Sequence, residues 1–155
     1  MVYLAFSNSE TVRLATLEGF SFYKVRVSGP VTNANVRATC EAAGLGFPCH
    51  YRHETACGIS LYWSPACTGI VFSKDDDFTC TTVQFLSYAL CGTAASYRCP
   101  PLDHTFVYIP LSVHNDSAWG TDVGAAAWPV NGADYSDMFA LCVGNYLHSI
   151  TLYKL

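Results

Sequence analysis

Residues 24–44, KVRVSGPVTNANVRATCEAAG, read as a strand, a turn and a capped helix in one continuous piece. Tyr23, Val25 and Val27 alternate with Lys24 and Arg26, the two-residue period of a strand with one buried face. Ser28-Gly29-Pro30 ends the strand, because glycine tolerates dihedrals other residues avoid and proline has no N–H for a ladder. Thr32 or Asn33 then caps a helix by accepting a bond from an orphan backbone N–H. Val36, Cys40 and Ala43 form one apolar stripe, while Arg37 and Glu41 occupy another face. Gly44 suits the left-handed position just past the helix end.

Working outward, Thr81-x-x-Gln84 is a capping box that opens a second helix, with Val83, Leu86 and Leu90 as its apolar stripe and Gly92 as its stop. Residues 59–63 and 68–73 pair as a hairpin across Ser64-Pro65, and residues 74–77 follow as a solvated acidic turn. Residues 105–109 are apolar on both faces, as expected of a central strand. Residues 110–137 read as one long loop, and 138–143 as the final strand. Residues 1–21 form a lead-in segment, flexible apart from a short helix carrying Val12, Leu14 and Leu17. Residues 144–155 form a C-terminal tail with one short strand. The expected fold is a small α+β domain over residues 22–143: a mostly antiparallel sheet, two short helices packed on one of its faces, and a disulfide framework.

The chain has 155 residues, enough for one domain with a sizeable core. Charged residues make up 13% and aromatics 14%, a balance that argues against disorder. A net charge of −4, with eight scattered Lys and Arg, leaves no basic footprint for nucleic acid or an anionic membrane. No run approaches the ~20 apolar residues of a membrane span.

Eight cysteines stand at 40, 49, 57, 67, 80, 91, 99 and 142, with no Cys-x-x-Cys among them. That dispersion disfavours a zinc ribbon or a thioredoxin-type redox motif and favours an oxidised framework in an extracellular or cell-surface setting. Cys40, Cys49, Cys57, Cys67, Cys80, Cys91, Cys99 and Cys142 are all expected to be paired, with Cys142 bonded to a helix cysteine, Cys40 or Cys91. Asn115-Asp116-Ser117 is a glycosylation sequon at Asn115. The opening residues MVYLAF do not read as a signal peptide, so the chain is expected to be part of a larger multidomain protein.

Four segments together resemble a known module: KVRVSGPVTNANVRATCEAAGL at 24–45, a Leu-Cys-Gly helix end at 90–92, FVYIP at 106–110 and GADYSDMFALCV at 132–143. They are similar to a cysteine-rich extracellular module of invertebrate mosaic proteins that also carry EGF-like and CUB domains. The resemblance spans residues 22–143 and implies recognition or adhesion, with an extracellular protein or glycan as partner.

The residues themselves offer several chemistries. Cys49-His50-x-x-His53-x-x-x-Cys57 has the donors of a zinc site, but cysteines spent in disulfides cannot ligate. No family signature surrounds a cysteine and no Gly-x-Ser-x-Gly is present, so no catalytic residue is assigned and a small secreted hydrolase remains an alternative only. Asp116, Asp122, Asp134 and Asp137 offer oxygens for calcium, which makes a calcium-dependent lectin-like domain the other alternative, although no metal or cofactor is assigned. The favoured ligand face lies in residues 110–137: Trp119, Trp128 and Tyr135 as platforms or anchors, with Asp116 and Asp122 as acceptors beside them. The expected function is that of a non-enzymatic extracellular recognition or adhesion module, with a protein ligand slightly favoured over a glycan.

Overall fold

The computed structural model describes residues 10–17, 19–50, 81–109 and 116–145. The hairpin and acidic turn expected between 59 and 77, Cys57, Cys67, Cys80, Asn115 and the strand expected in the tail beyond 145 lie outside these residues.

The described elements run β1 (Thr11–Leu17), β2 (Phe20–Arg26), α1 (Asn33–Ala42), α2 (Thr82–Cys91), β3 (Thr105–Val107), β4 (Trp119–Asp122), β5 (Ala127–Asn131) and β6 (Phe139–Asn145), with 3-10 turns at Ser96–Arg98, Pro100–Leu102 and Gly132–Asp134. The strands form one sheet in the order β1-β2-β6-β3-β4-β5. Every neighbouring pair is antiparallel except β3 and β6. This is a small α+β fold with a mostly antiparallel sheet, two helices and disulfides.

The opening stretch folds as its pattern dictates. β2 ends at Arg26, and Gly29 takes a left-handed φ of 87° in the turn that follows. Thr32 is the N-cap of α1, its hydroxyl accepting from Asn35 N at 3.1 Å. Gly44, at φ 72°, closes the helix: its N–H donates to Glu41 O and that of Leu45 to Cys40 O, the paired bonds of a Schellman motif. The buried stripe is Asn33, Val36 and Cys40, whereas Ala43, expected to be covered, is exposed as the C-cap. Asn33 is spent on tertiary structure. Its amide donates to Ile109 O and accepts from Ile109 N, which pins the start of α1 to the end of β3. The capping box of α2 is present, with Gln84 N donating to the Thr81 hydroxyl and Thr81 N donating to the Gln84 carbonyl.

Three expectations are corrected. The lead-in is part of the sheet: Thr11–Leu17 is an edge strand paired along β2, and Val12, Leu14 and Leu17 lie on it rather than on a helix. The long loop contains the β4–β5 hairpin. The two helices lie on opposite faces of the sheet, because alternate residues of β6 enter two separate cores. Ala140 and Cys142 pack with Val25, Val36 and Phe106 under α1. Leu141 and Val143 pack with Phe22, Val107 and Leu102 under Val83 and Leu86 of α2. A sheet buried on both sides needs apolar residues at consecutive positions, which 139–143 (FALCV) supplies.

The disulfides follow this division. Cys40 of α1 is bonded to Cys142 of β6, with Cα atoms 5.4 Å apart, which settles the two options for Cys142. Cys91, at the end of α2, is bonded to Cys99 in the turn that follows. Cys49 is disulfide-bonded too, and no cysteine among the described residues is free. Among the described residues no helix is long and apolar enough to cross a membrane.

Candidate ligand site

The β4–β5 hairpin positions most of the residues singled out from 110–137 and separates them. Trp119 lies opposite Val107, while Gly120 lies opposite Phe106. A Cβ at Gly120 would run into the Phe106 ring, so glycine is required for β4 to lie against β3 here. Gly132, just past β5, is constrained in the same way by the carbonyl of Val31. These close approaches hold the hairpin in register and fix which way its side chains point.

The two tryptophans meet His50. The imidazole lies 5.1 Å from the Trp119 ring in an edge contact and 5.6 Å from that of Trp128. Trp128 packs on the core beneath α2. The Trp119 indole N–H is buried and has no acceptor among the described residues. Burial holds His50 neutral, pushing its pKa down to about 3. With Cys49 disulfide-bonded and His50 buried, the zinc arrangement considered for 49–57 loses the thiolate it needs.

Asp116 serves the start of α1. Its carbonyl accepts from Asn33 N at 2.6 Å and its carboxylate from Ala34 N at 3.3 Å, so two orphan donors of the helix are met. Asp137 binds the turn before α1, accepting from Gly29 N at 2.8 Å. Neither joins Asp122, and among the described residues no three of the four aspartates weighed for calcium come together.

Asp122 and Tyr135 do come together. The Tyr135 hydroxyl donates to Asp122 Oδ2 at 2.7 Å. The bond holds the carboxyl below its usual range, helped by the N–H of Ala125, and pushes the phenol up to about 12. The Tyr135 ring lies 5.2 Å from Phe106 and 5.9 Å from His104. Asp103 and His104, in the turn before β3, complete the group. His104 Nδ1 is 3.7 Å from Asp103 Oδ2 and Nε2 is 3.7 Å from Asp122 Oδ1, too far for direct hydrogen bonds. Backbone amides orient both carboxylates: Val123 N donates to Asp103 Oδ1 and Ala125 N to Asp122 Oδ1. All three side chains are partly exposed, at 38% for Asp103, 34% for His104 and 16% for Asp122.

The result is a small polar site made by two chain segments, with two oriented carboxylates, an imidazole between them and an aromatic ring alongside. It can accept hydrogen bonds from hydroxyls, attract a cation, or stack against a flat apolar surface. Of the five ligand residues expected from sequence, Asp122 and Tyr135 belong to it. Trp119 and Trp128 belong to the aromatic group around His50, and Asp116 to the helix cap. Asp103 and His104 are not among those five, since neither carries a periodic signal and they reach Asp122 only through the pairing of β3 with β4. Comparison with family models, curated proteins and solved structures returns no match.

Proposed function

We propose that the chain is a non-catalytic extracellular recognition module that holds a glycan at the site formed by Asp103, His104, Asp122 and Tyr135. The observation that carries this reading is the pair of carboxylates, each already oriented by a backbone N–H, beside the half-buried Tyr135 ring. Sugar hydroxyls are donors that such acceptors take without reorganising, and the apolar face of a pyranose stacks on an aromatic ring. The disulfides accord with an oxidising compartment, and the resemblance to a cysteine-rich module of mosaic proteins accords with recognition.

The test is a glycan array probed with the full chain and with Asp103→Asn and Asp122→Asn. A hydrogen bond to a charged group contributes roughly 1.5–3 kcal/mol, so each substitution is expected to weaken a bound glycan about 10- to 100-fold. No binding by the unmodified chain, or equal binding by the variants, would refute the assignment. A partner found only in an ectodomain screen, and lost on the same substitutions, would make the site a protein contact instead.

A further inference from the structure

We infer that Asp103, His104 and Asp122 bind a divalent transition-metal ion, with zinc the best match. The inference rests on reading this cluster as the ligand site, and it adds the ion through which a ligand would be held. Each of the three residues offers one donor atom, and these atoms lie within 4.8 Å of one another. Donors about 2.1 Å from a shared zinc ion stand roughly 3.4 Å apart in a tetrahedral arrangement, so the three donors already stand within about 1.4 Å of that spacing.

The donors decide which ion. One imidazole nitrogen and two carboxylates suit zinc and its neighbours, whereas calcium takes six to eight oxygens and no nitrogen. The outer contacts are those of a metal site. Val123 N holds Asp103 by Oδ1, leaving Oδ2 on the His104 side. The Tyr135 hydroxyl and Ala125 N hold Asp122 by one oxygen each, so its orientation is fixed before an ion arrives. A positive ion would also offset the two carboxylates beside each other. Three protein donors leave a fourth position open, and an open position on a partly exposed ion is where a vicinal diol or a carboxylate would bind.

The experiment is calorimetric titration of Zn2+ alone into the full chain with its disulfides intact and no glycan present. It is repeated on His104→Asn and Asp122→Asn. Asparagine is chosen at 104 because His104 has a left-handed φ of 54°, which asparagine tolerates better than other non-glycine residues. One ion per chain is expected, with affinity at least about tenfold weaker in each variant. The other four histidines are unchanged in both variants, so binding elsewhere would survive them. Equal affinity in the variants, or no heat from the unmodified chain up to millimolar zinc, would overturn the inference. Should a variant fail to fold, Mn2+ added to the unmodified chain decides the matter by NMR. Selective broadening of the His104 and Tyr135 ring signals upholds the site, and broadening that spares them overturns it. Glycan binding that persists in chelator, without zinc binding, would refute the ion alone. Zinc binding without any glycan would refute the glycan reading alone.

Discussion

Under α1 the sheet is tied to its helix by a bridge between residues 102 apart in sequence, whereas among the described residues the bridge at α2 runs to the turn that follows it, between residues 8 apart. The first bridge joins the helix to a central strand across the core, and the second closes a helix end on itself. The noncovalent parts are less unequal. The start of α1 is fastened to distant chain by Asn33 on Ile109 and by Asp116 on the first helical amides. The start of α2 has its own capping box, and Thr82 also ties it to distant chain, its N–H donating to His50 O at 2.9 Å and its hydroxyl to Cys49 O. Among the described residues, the covalent link is long-range on one face of this domain and local on the other. The difference teaches where stability depends on the whole fold and where it depends on a short segment.

The disulfides give the largest contrast. Loop-closure entropy credits a bridge over about 100 residues with about 4.7 kcal/mol and one over about nine residues with about 2.5 kcal/mol. Replacing both Cys40 and Cys142 by alanine is therefore expected to cost nearly twice as much as replacing both Cys91 and Cys99. Denaturant unfolding of the two double variants measures it, and equal losses would break the comparison.

Next comes acid. His50 contacts Trp128, which packs on the α2 core, and its pKa falls from an ordinary 6.5 to about 3 through burial. Between those values the unfolded chain takes up a proton that the folded chain refuses, so stability rises with pH. The contribution is whole above pH 6.5 and declines by about 1.4 kcal/mol per unit as the pH falls toward 3. Stability curves for the unmodified chain and His50→Phe should diverge in slope across this range. Parallel slopes would mean that water reaches the imidazole.

The caps give the smallest effect. Thr81→Ala removes one half of a reciprocal pair and should cost roughly 1–2 kcal/mol. Thr32→Ala should cost roughly 0.5–1 kcal/mol, because Asp116 still serves two of the amides at that helix start. Thermal melts of both variants would sharpen the contrast between long-range and local fastening, and a larger loss at Thr32 would reverse it.

What could be read from sequence follows from the same division. The strand–turn–helix of the opening stretch and the box of the second helix are local patterns, and both stand in the structure. β1 was hidden by a register shift between Arg13 and Ala15, which breaks the two-residue alternation and leaves Val12, Leu14 and Leu17 at a spacing that suits a helix. β4 and β5, WGTD and AWPVN, carry glycine, aspartate, proline and asparagine, and become strands only through tertiary pairing. Proline is tolerated in β5 because that strand lies at the sheet edge. A strand at 138–143 explains one covered face by its alternation, but its consecutive apolar residues need cover on both, which puts the helices on opposite faces of the sheet. Asp122 and Tyr135 were visible as candidates by composition. Their association with Asp103 and His104 depends on which strands are neighbours, which no single window of sequence encodes.

The Cys40–Cys142 link has one more consequence, topological rather than energetic. Together with the backbone it closes a covalent ring from residue 40 to residue 142, which contains α2, β3, β4 and β5 together with residues 51–80 and 110–115. A single peptide-bond cleavage anywhere within that ring opens it into a longer linear path and detaches nothing. A protease that finds one site between the two cysteines leaves a nicked molecule of unchanged mass apart from one added water, with both faces of the sheet still on the same covalent piece.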